Sequence, residues 1–375
     1  MALLTYLTTA HFDFGAIARL PKEMARLGMS RPLIVTDAGL VRAGLLERVT
    51  EQVEGGSALP VFDGTPANPT EKAVMAAFSQ YGEEGCDGVI ALGGGSSMDL
   101  GKAVALLAGS GGPLDKFDPA NKGTRNMTAV APVIAVPTTS GTGSEVSVGI
   151  IIVMDDGRKA TFAGPKLIPA SAICDPELTL GLPPLMTAAT GMDAITHCIE
   201  AFLAPTENPP ADGVALDGLW RGWTALKRAV DDGSDRDARW NMMMASTEGA
   251  LAFIKGLGAV HSMSHAAGRL SDLNLHHGTL NAVLLPAVLR FNASGQEERY
   301  ARLRQAMGLE PGADIADAIA GLNASIGLPA NLTEMGLTEA RLGDMVPYAV
   351  SDLATRTNPR PVGTAEFEAL YRESF

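Results

Sequence analysis

The chain has 375 residues, enough for two domains with sizeable cores, and 46% apolar with 19% charged residues is a globular balance that excludes a disordered polymer. A net charge of −13 without a Lys/Arg cluster excludes binding to a phosphate backbone, and means that an anionic substrate needs a local cation. Three scattered cysteines with no CxxC pairing, no signal-peptide layout and no bilayer-length apolar run make a reduced, cytoplasmic setting the expectation.

In chain order, RPLIVTD (31–37) reads as a strand and AGLVRAGLLERVTEQV (38–53) as a helix. LPVFD (59–63) returns to strand and EKAVMAAFSQYGEEG (71–85) to helix. CDGVIALGGG (86–95) is a strand running into glycines, and DLGKAVALLAG (99–109) is helical. PVIAVPTTSGTGSE (132–145) repeats the strand-then-loop pattern. Such alternation implies βαβ units around a buried parallel sheet. After DPELTLGLPP (175–184) the pattern turns helical, with predicted helices over 185–203, 211–231, 236–254 and 278–292. The shift predicts an α/β domain over 1–180 and an all-α domain over 181–375.

Two loops follow strands of buried type. In GGGSS (93–97) the missing Cβ atoms let a pyrophosphate approach backbone N–H groups at a helix start. PTTSGTGSE (137–145) adds hydroxyls beside two glycines. Two polar loops at strand ends suggest a ligand in the crevice above the sheet. Asp37 ends the first strand, where its carboxylate could bind ribose hydroxyls and repel a 2′-phosphate; a helix N-cap is its other reading. There is no GxGxxG, so a plain Rossmann fingerprint does not apply.

In GMDAITHCIEAF (191–202), Asp193 and His197 stand four apart and share one helix face. A lone pair of this kind is read as a helical hydrogen bond. However, four of the six histidines fall in one short stretch: His261 and His265, again four apart, then His276 and His277. Three imidazoles and one carboxylate could hold Fe²⁺ or Zn²⁺ with a position left for substrate.

These stretches, with GGGSSMDLGK (93–102), GLGAVHSMSH (256–265) and HHGTLNAVLLPAVLRFN (276–292), resemble the iron-containing (group III) alcohol dehydrogenases over essentially the whole chain. The resemblance implies a dehydroquinate synthase-like fold: a Rossmann-like, NAD-binding α/β domain and an all-helical metal domain, with the active site in the cleft. It implies Asp193, His197, His261 and His277 as metal ligands, with His276 a rival because the segment 268–275 is two residues longer than usual. His265 becomes the catalytic histidine beside the nicotinamide. For NAD it implies Asp37, Asn68, Gly94, Gly95, Ser96, Thr138, Thr139, Thr142, Ser144 and Lys159. The stretch NPPADGVALDGLWRGW (208–223) is similar to bacterial members that act on 4-hydroxybutyrate, an acid whose carboxylate Lys255 or Arg269 could anchor. The implied protein is a homodimer or larger homo-oligomer converting a small alcohol to its aldehyde, most simply 4-hydroxybutyrate to succinate semialdehyde. Other small alcohols, diols or hydroxyaldehydes, a non-redox synthase and a non-catalytic NAD or metal binder are the competing readings.

Overall fold

The computed structural model describes residues 8–119, 122–270, 272–273 and 275–375. They form two compact units. One comprises the described residues up to Thr139 together with Ser144–Thr179; the other comprises Ser140–Gly143 and Leu180–Phe375.

The first unit is built on strands β1 (Ala10–Phe12), β2 (Leu33–Val35), β3 (Val61–Phe62), β4 (Val89–Gly93), β5 (Val133–Pro137), β6 (Gly149–Val153), β7 (Lys159–Ala163) and β8 (Ser171–Cys174). Six of them form one all-parallel sheet in the order β1-β8-β5-β4-β2-β3. β2, β4, β5 and β8 are buried along their whole length, which is why they read as unbroken apolar runs rather than as alternation. Helices α1 (Leu20–Leu27), α2 (Ala38–Arg42), α3 (Leu45–Thr50), α4 (Glu71–Glu83) and α5 (Gly95–Ser110) link them. The predicted helix over 38–53 is thus two short helices, broken at Ala43–Gly44.

The chain passes from β2 to β3 on one side and returns through β4 on the other, so the strand order reverses between β2 and β4. That is the switch point at which open parallel sheets bind ligands. Val35 pairs with Ala91 there, which sets Asp37 and Gly93 level at the strand ends. β6 and β7 form a separate antiparallel hairpin that the sequence pattern did not announce.

The second unit holds α6 (Pro184–Leu203), α7 (Pro209–Asp231), α8 (Arg236–Ala252), α9 (Ala259–Ala267), α10 (His277–Asn292), α11 (Glu297–Met307), α12 (Ile315–Ser325), α13 (Leu342–Ser351) and α14 (Thr364–Glu373). α6 is buried on every face from Thr187 to Leu203 and packs against α7, α8 and α10. A helix surrounded in this way gives no clean amphipathic stripe. Side-chain caps start three helices of this unit: Asn208 for α7, Asp235 for α8 and Asp314 for α12, each accepting from backbone N–H groups of the first turn.

Candidate active site

Asp193 and His197 lie on one face of α6, and both are buried, at 3% and 5% exposure. His261, 1% exposed, comes from α9, and His277 opens α10. The three imidazoles converge on one carboxylate oxygen. Asp193 Oδ1 stands 3.7 Å from His197 Nε2, 3.7 Å from His261 Nε2 and 3.6 Å from His277 Nε2. Donors held at 2.0–2.2 Å from a tetrahedral ion are separated by roughly 3.3–3.6 Å. Asp193, His197 and His261 bring their ligand atoms mutually within 4.8 Å and could hold a metal ion, and His277 faces the same Asp193 oxygen from α10.

Electrostatics point the same way. Burial opposes ionisation of Asp193, yet His197 and His277 outweigh it and hold the carboxyl well below its usual range. Burial lowers His197 to about 4, which keeps its ring neutral. His261 is also desolvated, but its hydrogen bonds to Asp193 and Glu200 raise it to about 9. A dense cage of mutually polarised donors on buried helices is costly without a cation to face. Asn281 adds to it from the next turn of α10. Its Nδ2 donates to Asp193 Oδ1 at 2.8 Å and lies 3.3 and 3.2 Å from Nε2 of His261 and His277, while its Oδ1 is buried without a partner.

Of the two adjacent histidines, His277 is the one whose Nε2 faces Asp193 Oδ1, at 3.6 Å. His276 is the N-cap residue of α10, and its buried Nδ1 meets no partner. His265 stays outside the four-donor set. Its ring stacks on that of His277 at 5.3 Å, and its Nδ1 stands 3.0 Å from Asp352 Oδ2 at the end of α13. Burial opposes the charge of Asp352, but His265 offsets this and keeps the carboxylate ionised.

In the sheet unit the expected cofactor residues gather at the ends of β2, β4 and β5. Gly94 caps α5, Gly95 and Ser96 form its first turn, and no side chain competes for the free N–H groups. Thr138 N donates to Gly93 O at 3.0 Å, and Thr139 lies against Gly94. Ser96 Oγ donates to Ala67 O at 2.6 Å, which draws in the Asn68 segment, and Lys159 Nζ meets Asn68 Oδ1 at 3.3 Å. Asp37 is the N-cap of α2, with Oδ1 accepting from Gly39 and Leu40 N–H groups. Only that oxygen is engaged, so capping and ribose binding are compatible. Thr142 falls in the Ser140–Gly143 segment grouped with the helical unit.

Two expectations need correction. Ser144 is 4% exposed; its hydroxyl donates to Asp99 at 2.7 Å and accepts from Lys102 at 3.1 Å, so it is a strut rather than a cofactor contact. Lys255 is no free substrate anchor: its ammonium is buried against Asp212 and the carbonyl of Phe202. Arg269 has no carboxylate partner among the described residues. Its guanidinium lies 3.6 Å from the centroid of the Tyr348 ring. Glu200, Asn281 and Asp352 went unseen in the sequence.

The family signature described as iron-containing alcohol dehydrogenase matches residues 8–176, and that of the family's C-terminal region matches 187–375. The chain belongs to the iron-containing alcohol dehydrogenase family. Among family members, it is 54% identical to a 4-hydroxybutyrate dehydrogenase of Cupriavidus necator, with 100% of both chains covered. Among solved structures of similar shape, a 1,3-propanediol oxidoreductase superposes with a TM-score of 0.92 at 31% identity over 100% of each chain. A sulfoacetaldehyde reductase of Bifidobacterium kashiwanohense in complex with NAD⁺ gives 0.89 at 27% identity, covering 100% of this chain and 99% of that one. No helix among the described residues is long and apolar enough to cross a membrane.

Proposed function

We propose that this protein interconverts 4-hydroxybutyrate and succinate semialdehyde with NAD(H). The observation that carries the reading is full-length identity of 54% to a 4-hydroxybutyrate dehydrogenase, in a chain that keeps a convergent Asp193–His197–His261–His277 set. A divalent ion held by those four, Fe²⁺ before Zn²⁺, supplies Lewis acidity toward an alcohol or aldehyde oxygen.

The chain's own residues do the rest. The first turn of α5 offers the N–H groups of Gly95 and Ser96 to the NAD pyrophosphate, beside Gly94, Thr138 and Thr139. The free oxygen of Asp37 takes the adenosine ribose, with Asn68 and Lys159 nearby and Thr142 as a further contact. His265, its Nδ1 held by Asp352, presents Nε2 to accept and release the hydroxyl proton. For the acid end the reading favours Arg269. It lies two residues past the end of α9, and its guanidinium rests on Tyr348 of α13, the helix whose end carries Asp352. A guanidinium stacked by its face keeps its edge N–H donors free for a carboxylate. Residues 1–180 are the NAD domain and 181–375 the metal domain of this proposal, in a cytoplasmic homodimer or larger homo-oligomer.

The test is reduction of NAD⁺ by enzyme reconstituted with Fe²⁺ or Zn²⁺, against 4-hydroxybutyrate, 1-butanol and 1,3-propanediol. The proposal expects the hydroxy acid to have the highest kcat/KM; preference for a neutral alcohol overturns it. Arg269→Gln is expected to raise KM for 4-hydroxybutyrate about tenfold or more, the loss of a charge-assisted hydrogen bond of about 1.5–3 kcal/mol, and to spare 1-butanol.

A further inference from the structure

Glu200 stands three residues after His197 on α6, and nothing above gives it a role in the reaction. It is 4% exposed, and no Lys or Arg among the described residues pairs with it. Both of its oxygens are spent on α9. Oε2 accepts from His261 Nδ1 at 2.6 Å and from His261 N at 3.4 Å, and Oε1 accepts from Val260 N at 2.8 Å. A Cβ on Gly258 would come within 2.7 Å of Oε1, so the missing side chain there is what allows the start of α9 to close on this carboxylate.

We propose that Glu200 is the positioning residue of the metal centre. By taking the Nδ1 proton it fixes His261 in the tautomer whose Nε2 lone pair faces Asp193. Its charge also strengthens that nitrogen as a donor. His197 Nδ1 stands 3.2 Å from the Gly141 carbonyl, and His277 Nδ1 stands 3.4 Å from the Ser264 hydroxyl. His261 Nδ1 is backed by the Glu200 carboxylate at 2.6 Å. The charge count agrees: a divalent cation, Asp193 and Glu200 with three neutral rings sum to zero, so the buried carboxylate is matched by the ion it serves. Glu200 therefore governs how tightly and how long the metal is held.

The inference rests on His261 being a ligand, and the experiment separates the two. Wild type, Glu200→Gln and His261→Ala are loaded with Zn²⁺, gel-filtered and assayed for metal content, then for the rate of Zn²⁺ transfer to a colorimetric chelator. Glu200→Gln is expected to hold Zn²⁺ 10–100-fold more weakly and to lose it correspondingly faster, with partial recovery in Glu200→Asp. Wild-type affinity and release rate in a folded Glu200→Gln overturn the positioning role alone. Wild-type metal content in His261→Ala overturns the ligand set beneath it. Should Glu200→Gln not fold, imidazole ¹⁵N shifts of the Zn²⁺-loaded wild type decide: the proposal requires a protonated Nδ1 on His261, and a proton on Nε2 overturns it.

Discussion

His276 and His277 are neighbours in sequence with opposite fates, because one caps α10 and the other begins it. His277→Ala is expected to abolish stable metal retention, a loss beyond the 10–100-fold of an outer partner, whereas His276→Ala keeps the metal; elemental analysis after gel filtration checks both. Lys255→Ala is expected to cost about 3 kcal/mol of stability by stranding Asp212, with KM for 4-hydroxybutyrate unchanged. Chemical denaturation and steady-state kinetics read the two halves of that statement. Glu248 gives a pH signature. Burial and the neighbouring Asp217 raise its carboxyl to about 8, above its ordinary 4.5. The native state then binds more protons than the unfolded chain between those values, so this contribution is complete below about pH 4.5 and fades as pH rises through about 8. Glu248→Gln is expected to flatten the fall of Tm across that window. What the sequence disclosed at this scale was local: a four-residue spacing put Asp193 with His197 and His261 with His265. Asp352 lies 87 residues from His265 and Asn281 lies 88 from Asp193, and no periodicity joins such pairs. Glu200 was the readable omission, a buried carboxylate about one turn beyond His197 on α6.

Among the elements, strands buried on both faces and long helices were legible, because continuous apolar runs and 3.6-residue spacing survive burial. The β6–β7 hairpin was not. Its faces alternate in burial, but GIIIV in β6 is apolar at every side-chain position and hides this, and the alternation reaches the letters only in the five residues KATFA of β7. Its placement instead depends on Lys102. This fully buried ammonium on α5 donates to Ser144 O at 3.0 Å, Ser147 O at 3.1 Å and Gly149 O at 2.7 Å, tying the loop before β6 to the helix after the glycine turn. Asp99, on the same helix, accepts from Ile151 N at 2.9 Å. Burial pulls Lys102 down to about 8, against the attraction of Asp99 and Glu145. Lys102→Met would take the ammonium donor from all three carbonyls and leave those of Ser144 and Gly149 only the 3.4 Å contacts of Ser147, at about 1–3 kcal/mol for each buried group left unsatisfied. The expected outcome is a marked fall in Tm together with faster hydrogen exchange in β6 and β7.

For the molecule as a whole, the boundary near residue 180 was visible as a change from mixed to purely helical patterning. What no pattern shows is that Ser140–Gly143, inside the first half of the chain, belongs to the second unit. Metal at 100 times its Kd is expected to raise unfolding stability by about 2.7 kcal/mol, and calorimetry with and without chelator measures it. The same four residues limit how the gene can be bisected. Gly141 offers its carbonyl to His197, and Gly143 seats so closely on α8 that an added methyl would stand 2.1 Å from Ala250. A fragment beginning at codon 181 would lack this splint and leave its seat against Thr190, His197 and Ala250 open. The complementary fragment would carry the splint as a loop held at its two ends by Thr138 and Ser144 but without its seat on α6 and α8. Split-protein reporters cut at that seam should thus recover activity only when the two pieces are mixed and the loop finds its seat again.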